Sequence, residues 1–387
     1  MSAPHFISER LSFKGHMALL SITVSFIVMI VAAAIAGGFR SGISDAIADM
    51  AGDIRISRPD AVAKEKTAPF AVSGEMLSLL ENVPGVSQLR PAIYAGAIVR
   101  KNDIVHGVVF KGIETADTTV MGTVIPRRLA TLMSLNVGDS LPAFFINETV
   151  SVRSFTVTGI YDAFSAGDDR MQVLCDIKAL RRVNGWEDGQ MSALEVLLDR
   201  KHRDEESVSL ARGIISDILY IHSDEDGGSL MASDSYSSYR QIFDWLRLID
   251  ANVAFILVLM VIVAGLNMVS GLLILLFENI STIGLLKSMG MTTTDIAKTF
   301  LLTSSRLVFK GMLSGNIIGM GLCVLQDATH FLRLNPANYF LSYVPVDLNF
   351  LQILLFDAAA YAVIMLILLI PGIFISKVDP AQSVRVK

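Results

Sequence analysis

The chain has 387 residues, of which 52% are hydrophobic and 18% are charged, with a mean hydropathy of +0.54 and a formal net charge of −5. This composition is too apolar for an ordinary soluble protein and too charged for a chain made only of membrane helices. It therefore predicts membrane segments joined to a separate, more polar domain.

Four stretches of the chain carry almost no charge and are long enough to cross a membrane, which takes about 20 mainly apolar residues. The third uncharged stretch, 311–326, is short, but the residues before it extend it because Arg306 and Lys310 can snorkel toward the lipid surface. We predict transmembrane helices at 17–38, 246–277, 301–326 and 348–376, the last with one charged residue, Asp357.

The first apolar stretch has an alternative interpretation as a cleaved signal peptide, because "AAAIAGG" at 32–38 is similar to a small-residue cleavage site. The stretch is longer than the roughly 7–15 apolar residues of a signal peptide. An uncleaved membrane anchor is therefore the favoured interpretation.

Lysine and arginine are concentrated in the first 16 residues, in the segment 278–310 and in the tail after 376. The positive-inside rule then places 1–16, 278–300 and 377–387 in the cytoplasm. Segments 39–245 and 327–347 then lie outside. An even number of crossings requires both termini to be on the same side, which agrees with this placement. The predicted fold class is a membrane protein with four transmembrane helices and a large α+β extracytoplasmic (periplasmic) domain inserted between helices 1 and 2.

The outside domain, 39–245, alternates apolar and polar residues as half-buried strands do, for example through 83–113. In "VRSFTVTGIYD" the predicted core positions are Val152, Phe155, Val157 and Ile160. Acidic residues outnumber basic ones in this domain, which argues against nucleic acid as a partner. The two cysteines, Cys175 and Cys323, fall in the outside domain and in a membrane helix, so no disulfide is predicted between them.

The sequence contains no motif that predicts catalysis by this chain. It lacks a Gly-x-x-x-x-Gly-Lys-Ser/Thr loop for nucleotide, His-Glu-x-x-His, Gly-x-Ser-x-Gly and Cys-x-x-Cys. The six histidines are scattered and none has metal-ligand spacing. We predict a protein that is not an enzyme, with no catalytic, cofactor or metal site of its own.

The segment between the second and third membrane helices, "IGLLKSMGMTTTDIAKTF" at 283–300, has an unusual pattern for a simple connection. Ile283, Leu285, Leu286 and Met289 are predicted to form one apolar helical face, which Gly290 ends. Thr292 to Asp295 then has the pattern of a helix cap. This coupling segment, defined as 278–300, is either an interfacial hairpin or a docking knob for a soluble cytoplasmic partner.

The stretch "TIGLLKSMGMTTTDIAKTFL" resembles the Glu-Ile-(Gly/Ala)-Ile-Leu-(Arg/Lys)-x-(Met/Leu/Ile)-Gly signature of ABC transporter permeases of the MacB/FtsX-like superfamily. The stretches "LSGNIIGMGLCVLQ", "NPANYFLSYVPVDLN", "IPGIFISKVDPAQSVRV" and "VVFKGI" are most similar to the lipoprotein-releasing (LolC/LolE-type) permeases of Bacteroidetes-like bacteria. Thr282 departs from the family's usual Glu, and Thr293-Thr294 replace its common basic pair.

The resemblance implies that the coupling segment docks on a separate ABC ATPase, present in two copies, which binds the ATP and Mg. The implied docking residues are Leu285, Leu286, Lys287, Met289, Gly290 and Met291. The other implied partners are a second permease subunit, in a homo- or heterodimer, lipoprotein cargo and a periplasmic lipoprotein carrier. The implied function is extraction of lipoproteins from the bacterial inner membrane; the alternatives are signal transmission to a cell-wall hydrolase, as in FtsX-like permeases, and MacB-like efflux.

Two further sets of residues are predicted to shape the membrane helices. Ile242, Leu246, Ile249 and Val253 share one helical face, so the second membrane helix either extends outward as a stalk or follows a surface helix of the domain. Gly311, Gly315 and Gly319 repeat every four residues, as in close helix packing. Among the polar residues of the apolar stretches, Asn267, Asn316 and Asp357 are the ones singled out as candidates for a role in the membrane.

Overall fold

The computed structural model describes residues 16–375 apart from 60–67, 102, 115–120, 147–149, 163–170, 223–228, 336–338 and 340. The chain divides into two compact units. One comprises Met1–Ser41, Trp245–Leu334 and Tyr343–Lys387, and the other comprises Gly42–Asp244 and Asn335–Ser342. We call them the helical unit and the sheet unit.

The described residues form ten α-helices, numbered in chain order. They are α1 His16–Ala51, α2 Gly74–Glu81, α3 Arg127–Leu132, α4 Ile177–Asn184, α5 Glu205–Ile221, α6 Ser235–Ser238, α7 Arg240–Glu278, α8 Ile280–Ser288, α9 Thr293–Thr329 and α10 Phe350–Ile375.

Among the described residues, four helices, α1, α7, α9 and α10, are long and apolar enough to cross a membrane. The prediction of four transmembrane helices is thus confirmed. Three of them are longer than the predicted spans: α1 continues through Ala51, α7 begins at Arg240, and α9 runs unbroken across the predicted boundary at residue 300. A helix ends where its backbone is capped and not where charged residues begin, which explains the difference.

The helical unit has a continuous apolar core between its long helices. Its fully buried members come from α1, α7, α9 and α10, and include Ile22, Phe26, Ala264, Val308 and Ile364. At one end of α1, Arg40 pairs with Asp250 of α7 at 2.6 Å, and Phe39 meets Trp245 edge to face.

The described residues of the sheet unit form nine strands. They are β1 Ile54–Ser57, β2 Val86–Lys101, β3 Ile104–Ile113, β4 Gly122–Pro126, β5 Ser140–Ile146, β6 Val150–Tyr161, β7 Met171–Asp176, β8 Ala193–Leu198 and β9 Met231–Asp234. Their order is β3-β7-β4-β6-β5-β2-β8-β1-β9, and β3 also pairs with β2. Six strands therefore close into a ring, and the long strand β2 connects that ring to β8, β1 and β9.

Two apolar cores hold the sheet unit together. The first lies inside the ring, where Phe110, Phe145 and Phe155 pack with ring centroids 4.8–6.2 Å apart. The second lies between helices α2 and α5 and strands β1, β8 and β9. The mixture of helices and strands confirms the predicted domain class.

The predicted core positions on β6 are partly wrong. Phe155 and Val157 are fully buried, but Val152 is 49% exposed. Successive side chains on a strand point to opposite faces, so Val152 lies on the face opposite to Phe155.

Candidate functional site

The coupling segment forms a short helix, a tight turn and the start of a long helix. Helix α8 ends at Ser288, and Gly290 takes a left-handed φ of +88°. The amide of Gly290 donates to the carbonyl of Lys287, and that of Met291 donates to Leu286, both at 3.0 Å. This is the Schellman pattern that satisfies the last carbonyls of a helix, and it requires a residue that tolerates positive φ.

Helix α9 begins immediately after this turn. The Thr292 hydroxyl accepts from the Asp295 amide at 3.2 Å and donates to the Asp295 carboxylate at 2.7 Å. The turn between the helices is therefore defined by hydrogen bonds on both sides.

The predicted single apolar face of α8 is divided in the structure. Ile283 is completely buried in a cluster with residues of α7 and α9, and Leu286 and Met291 are partly buried against it. Leu285 and Met289 point away and are 59% and 76% exposed. The prediction of one face is wrong because Ile283 and Leu286 lie on one side of the helix, while Leu285 and Met289, four residues apart, lie on another.

The remaining coupling positions are close to these two side chains in sequence. Lys287 is partly buried, whereas Gly290 and Thr282 are exposed. Thr294 is exposed and Thr293 is partly buried. We name the exposed pair Leu285 and Met289 the apolar knob.

The three glycines of α9 lie directly against α1. A Cβ built on Gly311 would be 2.7 Å from Ile22 Cγ2, and one on Gly315 would be 2.6 Å from Phe26 Cβ. At Gly319 the nearest atom is Ile30 Cβ, at 3.3 Å. The spacing of four residues therefore lets the two helix backbones approach closely.

The polar residues of the membrane helices bond between helices. Asn267 of α7 donates to the hydroxyl of Ser21 on α1, and Asn316 of α9 donates to the carboxylate of Asp357 on α10. Asp357 is buried, and the Asn316 Oδ1 atom is buried without a hydrogen-bond partner.

The four residues predicted for a stalk lie on one continuous helix, α7. Ile242 and Leu246 are each 4% exposed, while Ile249 and Val253 are partly buried. The helix begins at Arg240, so no break separates these residues from the apolar stretch that follows.

Sequence patterns missed a group of charged and polar residues in the sheet unit, which surrounds the buried side chains of Glu195 and Lys111. We name it the Glu195 cluster; its members are Arg55 (β1), Glu195 (β8), Arg90 and Tyr94 (β2) and Lys111 (β3). In the strand register, Glu195 lies opposite both Arg55 and Arg90, and Tyr94 lies opposite Lys111. Arg90, Tyr94 and Lys111 lie in the stretch 83–113, which the sequence pattern identified only as strands, whereas Arg55 and Glu195 are far from it in sequence.

Three other members of the cluster, Arg90, Lys111 and Tyr94, contact the Glu195 carboxylate. Arg90 Nε donates to Glu195 Oε2 at 2.7 Å, and Lys111 Nζ lies 2.8 Å from Oε1. The Tyr94 hydroxyl donates to the same carboxylate, and Arg55 Nη2 donates to that hydroxyl at 3.3 Å. Glu195 and Lys111 have only 0% and 2% of their side chains exposed.

Burial shifts the acid–base behaviour of these groups. Desolvation lowers the pKa of Lys111 to about 8, against the opposing attraction of Glu195. Desolvation also raises the pKa of Tyr94, with the charge of Arg55 acting in the opposite direction. Nearby, desolvation raises the pKa of Asp53, although its carboxylate accepts bonds from the Leu198 amide and from Arg203.

Side chains that can ligate a metal are dispersed over the part of the chain that the structure describes. Within it, no group of three or more His, Cys, Asp or Glu side chains is placed to hold a metal ion. Cys175 and Cys323 are both buried and unbonded to each other.

Part of the chain is similar to a known permease family. Residues 254–380 match the FtsX-like permease C-terminal family, a span that covers most of α7 and all of α8, α9 and α10. Three of the long apolar helices therefore lie wholly or largely in a region that is similar to FtsX-like permeases.

Two relatives are similar to nearly the whole chain. The protein named lipoprotein-releasing system transmembrane protein LolC from Xylella fastidiosa (strain 9a5c) is 21% identical to the chain, over 97% of the chain and 94% of that protein. The LolC protein of Neisseria meningitidis serogroup B (strain MC58) is also 21% identical, with the same shares covered. The resemblance stated from the sequence motifs is confirmed.

A solved structure is also similar to part of the chain. The periplasmic region of MacB from Actinobacillus actinomycetemcomitans is 12% identical, covers 50% of this chain and 95% of its own, and superposes with a TM-score of 0.33.

Proposed function

We propose that this chain is the permease subunit of an ABC transporter that extracts lipoproteins from the inner membrane of a bacterium for delivery toward the outer membrane. The observation that carries the proposal is the apolar knob. It projects from a hydrogen-bonded turn between two membrane helices, in a chain similar along 97% of its length to proteins named for lipoprotein release.

The knob is suited to docking because its support is rigid. Ile283 and Leu286 pack against apolar residues of α7 and α9, which anchors α8. The hydrogen bonds of the Schellman turn fix the backbone around Met289 and Gly290. Exposed apolar side chains on a rigid support form a good anchor for a groove on a partner, since little side-chain or backbone freedom is lost on binding. The proposed partner is a separate ABC ATPase, two copies of which bind ATP and Mg beneath a dimer of permeases.

The departures from the family pattern make this docking mainly apolar. Thr282 stands in place of a carboxylate, and Thr293-Thr294 stand in place of a basic pair. Without those charges, the free energy of docking must come chiefly from burial of Leu285 and Met289, at about 25 cal/mol per Å² of apolar surface.

In this proposal the sheet unit lies in the periplasm and both termini lie in the cytoplasm. ATP-driven closure of the two ATPases would move the membrane helices, and α7 would act as the outward stalk that transmits the movement. The acyl chains of the lipoprotein would enter sideways between the first and second membrane helices of the two permeases, so no channel through the bilayer is required.

The proposal is tested by co-purification of the tagged chain from native membranes, with identification of the proteins and lipids that remain bound. The variants are Leu285→Asp and Met289→Asp. The matched control is Leu210→Asp, an exposed leucine on α5 with a similar exposed fraction of 65%. We expect the wild type and the control to retain an ABC ATPase together with acylated lipoproteins, and both knob variants to lose the ATPase.

Other outcomes separate the alternatives. An ATPase recovered with a cell-wall hydrolase and no lipoprotein would favour signal transmission, and one recovered with an outer-membrane adaptor would favour efflux. If no ATPase binds the wild type, or if the knob variants still bind it, then the docking role of the knob is wrong.

A further inference from the structure

The sheet unit holds the end of helix α1 with two cations, the buried Lys111 and the partly buried Arg90. Arg90 Nη2 donates to the carbonyl of Asp49 at 2.8 Å and to that of Ala48 at 3.3 Å. Lys111 Nζ donates to the carbonyl of Met50 at 2.6 Å. The last carbonyls of a helix lack partners within the helix and carry partial negative charge, so cations bind there favourably.

Glu195 connects the two cations to each other. Its carboxylate lies 2.6 Å from Arg90 Nη2 and 2.8 Å from Lys111 Nζ, so each cation bonds the helix end and the sheet at once. Since Lys111 and Arg90 come from different strands, the helix end is bound at two separate points of the sheet. Such an arrangement restrains rotation of the helix as well as its withdrawal.

The backbone at the helix end is shaped to fit this cluster. Gly52 follows the helix with a left-handed φ of +77°, and a Cβ built on it would lie 2.9 Å from the Glu195 Cβ. A second group of ion pairs binds the side of the same helix, where Arg203 meets Asp45 at 2.6 Å and Asp53 at 3.2 Å. Helix, turn and sheet are thus joined by directional bonds.

Directional bonds fix the position of the end of α1 more closely than an apolar contact would. Apolar packing often stabilises a fold as well as a buried ion group does. However, apolar surfaces are not directional and can slide, whereas charge-assisted hydrogen bonds have a defined length and angle. Burying Lys111 and Glu195 costs desolvation free energy, and in return their hydrogen bonds define the position of the helix end.

We propose that the Glu195 cluster is the joint that fixes the end of α1 to the sheet, so that a displacement of this helix is passed to the sheet. The transfer of movement from α1 to the sheet rests on the proposed function, whereas the attachment of the end of α1 to the sheet does not. Helix α1 is unbroken from His16 to Ala51, so the cluster binds the end of the same helix that contains the first apolar stretch.

The joint is tested with the full-length chain and its ATPase in lipid nanodiscs. The variants are Lys111→Met, which removes the bond to Met50, and Tyr94→Phe, which removes one donor to Glu195 and little volume. The control is Lys101→Met, because Lys101 also bonds a backbone carbonyl and a carboxylate, those of Ser134 and Asp139, but none of α1.

Two quantities are measured for each variant: hydrogen exchange of the amides of 42–51, and lipoprotein released per ATP hydrolysed. We expect exchange in 42–51 to accelerate about ten-fold in Lys111→Met and less in Tyr94→Phe, with strands β5 and β6 unchanged as evidence that the domain stays folded. Release per ATP should fall about five-fold or more in Lys111→Met while ATP turnover is retained. Lys101→Met should change neither quantity.

Several results would overturn the proposal. One is unchanged exchange in 42–51 for both cluster variants, and another is faster exchange with unchanged release per ATP. A wild-type complex that hydrolyses ATP without releasing lipoprotein would contradict the proposed function alone, because the exchange measurement still decides whether the cluster holds the helix.

Discussion

The amide of Met291 donates to the carbonyl of Leu286 at 3.0 Å, and this bond closes the short helix between the second and third membrane helices. Leu286 lies against the buried cluster around Ile283, so the same bond ties the turn to the core of the helical unit. The outward position of Met289 follows from this geometry, since it lies between the closed helix and the left-handed Gly290.

The turn should depend on glycine at position 290. Gly290→Ala introduces a Cβ at a φ of +88°, and because no atom lies within 4 Å of that Cβ, the cost is purely conformational. We expect a loss of about 1 kcal/mol in the free energy of unfolding and weaker retention of the ATPase. The measurement is SDS-induced unfolding in mixed micelles, together with co-purification. Unchanged stability and unchanged retention would show that the left-handed turn is not required.

The packing of α9 on α1 should depend on Gly315. Gly315→Ala places a Cβ 2.6 Å from that of Phe26 and 2.8 Å from the Thr23 carbonyl, which the backbone must move to accommodate. We expect destabilisation of about 1–3 kcal/mol, as for other overpacked cores. Gly321→Ala on the same helix is the matched control, because its Cβ would meet nothing within 4 Å and should be neutral or stabilising. Equal thermal unfolding midpoints for the two variants would contradict the close contact.

The bond between Asn316 and Asp357 should behave as a coupled pair. Asp357→Leu removes the acceptor of a buried amide and should cost about 1 kcal/mol, and Asn316→Leu should cost a similar amount. The double variant should recover most of the loss, because no polar group is then left without a partner. A double-mutant cycle in mixed micelles measures this coupling, and strictly additive losses would mean that the two side chains do not interact.

The lowered pKa of Lys111 predicts that its contribution to the free energy of unfolding depends on pH. Arg90 and Arg55 lie near Lys111 as like charges and Glu195 as the opposite charge, but desolvation is the largest effect. Since the folded pKa of about 8 lies below the ordinary 10.5, the unfolded chain binds more protons between these values. The stability that Lys111 contributes should therefore rise with pH across this window, by about 1 kcal/mol per pH unit.

This dependence is measured as the difference between the wild type and Lys111→Met. The difference in thermal unfolding midpoint should shift in favour of the wild type as the pH rises from about 8 toward 10.5. The Lys101→Met variant serves as control, and its difference from the wild type should not follow this course. A flat or falling difference for Lys111→Met would show that its pKa is not lowered.

Much of the coupling segment could be predicted from sequence because its signals are local. Gly290 and the Thr292–Asp295 cap act within one or two helical turns, and they specify the ends of α8 and the start of α9. Which apolar side chain of α8 points outward was not predicted correctly. Ile283 and Leu285 are chemically alike, and only the positions of α7 and α9 around α8 decide which of them is buried.

The sequence by itself determined the four membrane helices, the class of the inserted domain and the glycine spacing on α9, because hydropathy, period and turn chemistry are properties of neighbouring residues. Only the tertiary structure decided the Glu195 cluster. Its members lie on four strands that are distant in sequence, and they meet because the long strand β2 pairs with β8 in its first half and with β3 in its second. Pairing between distant strands depends on register and closure of the sheet, which no local pattern specifies.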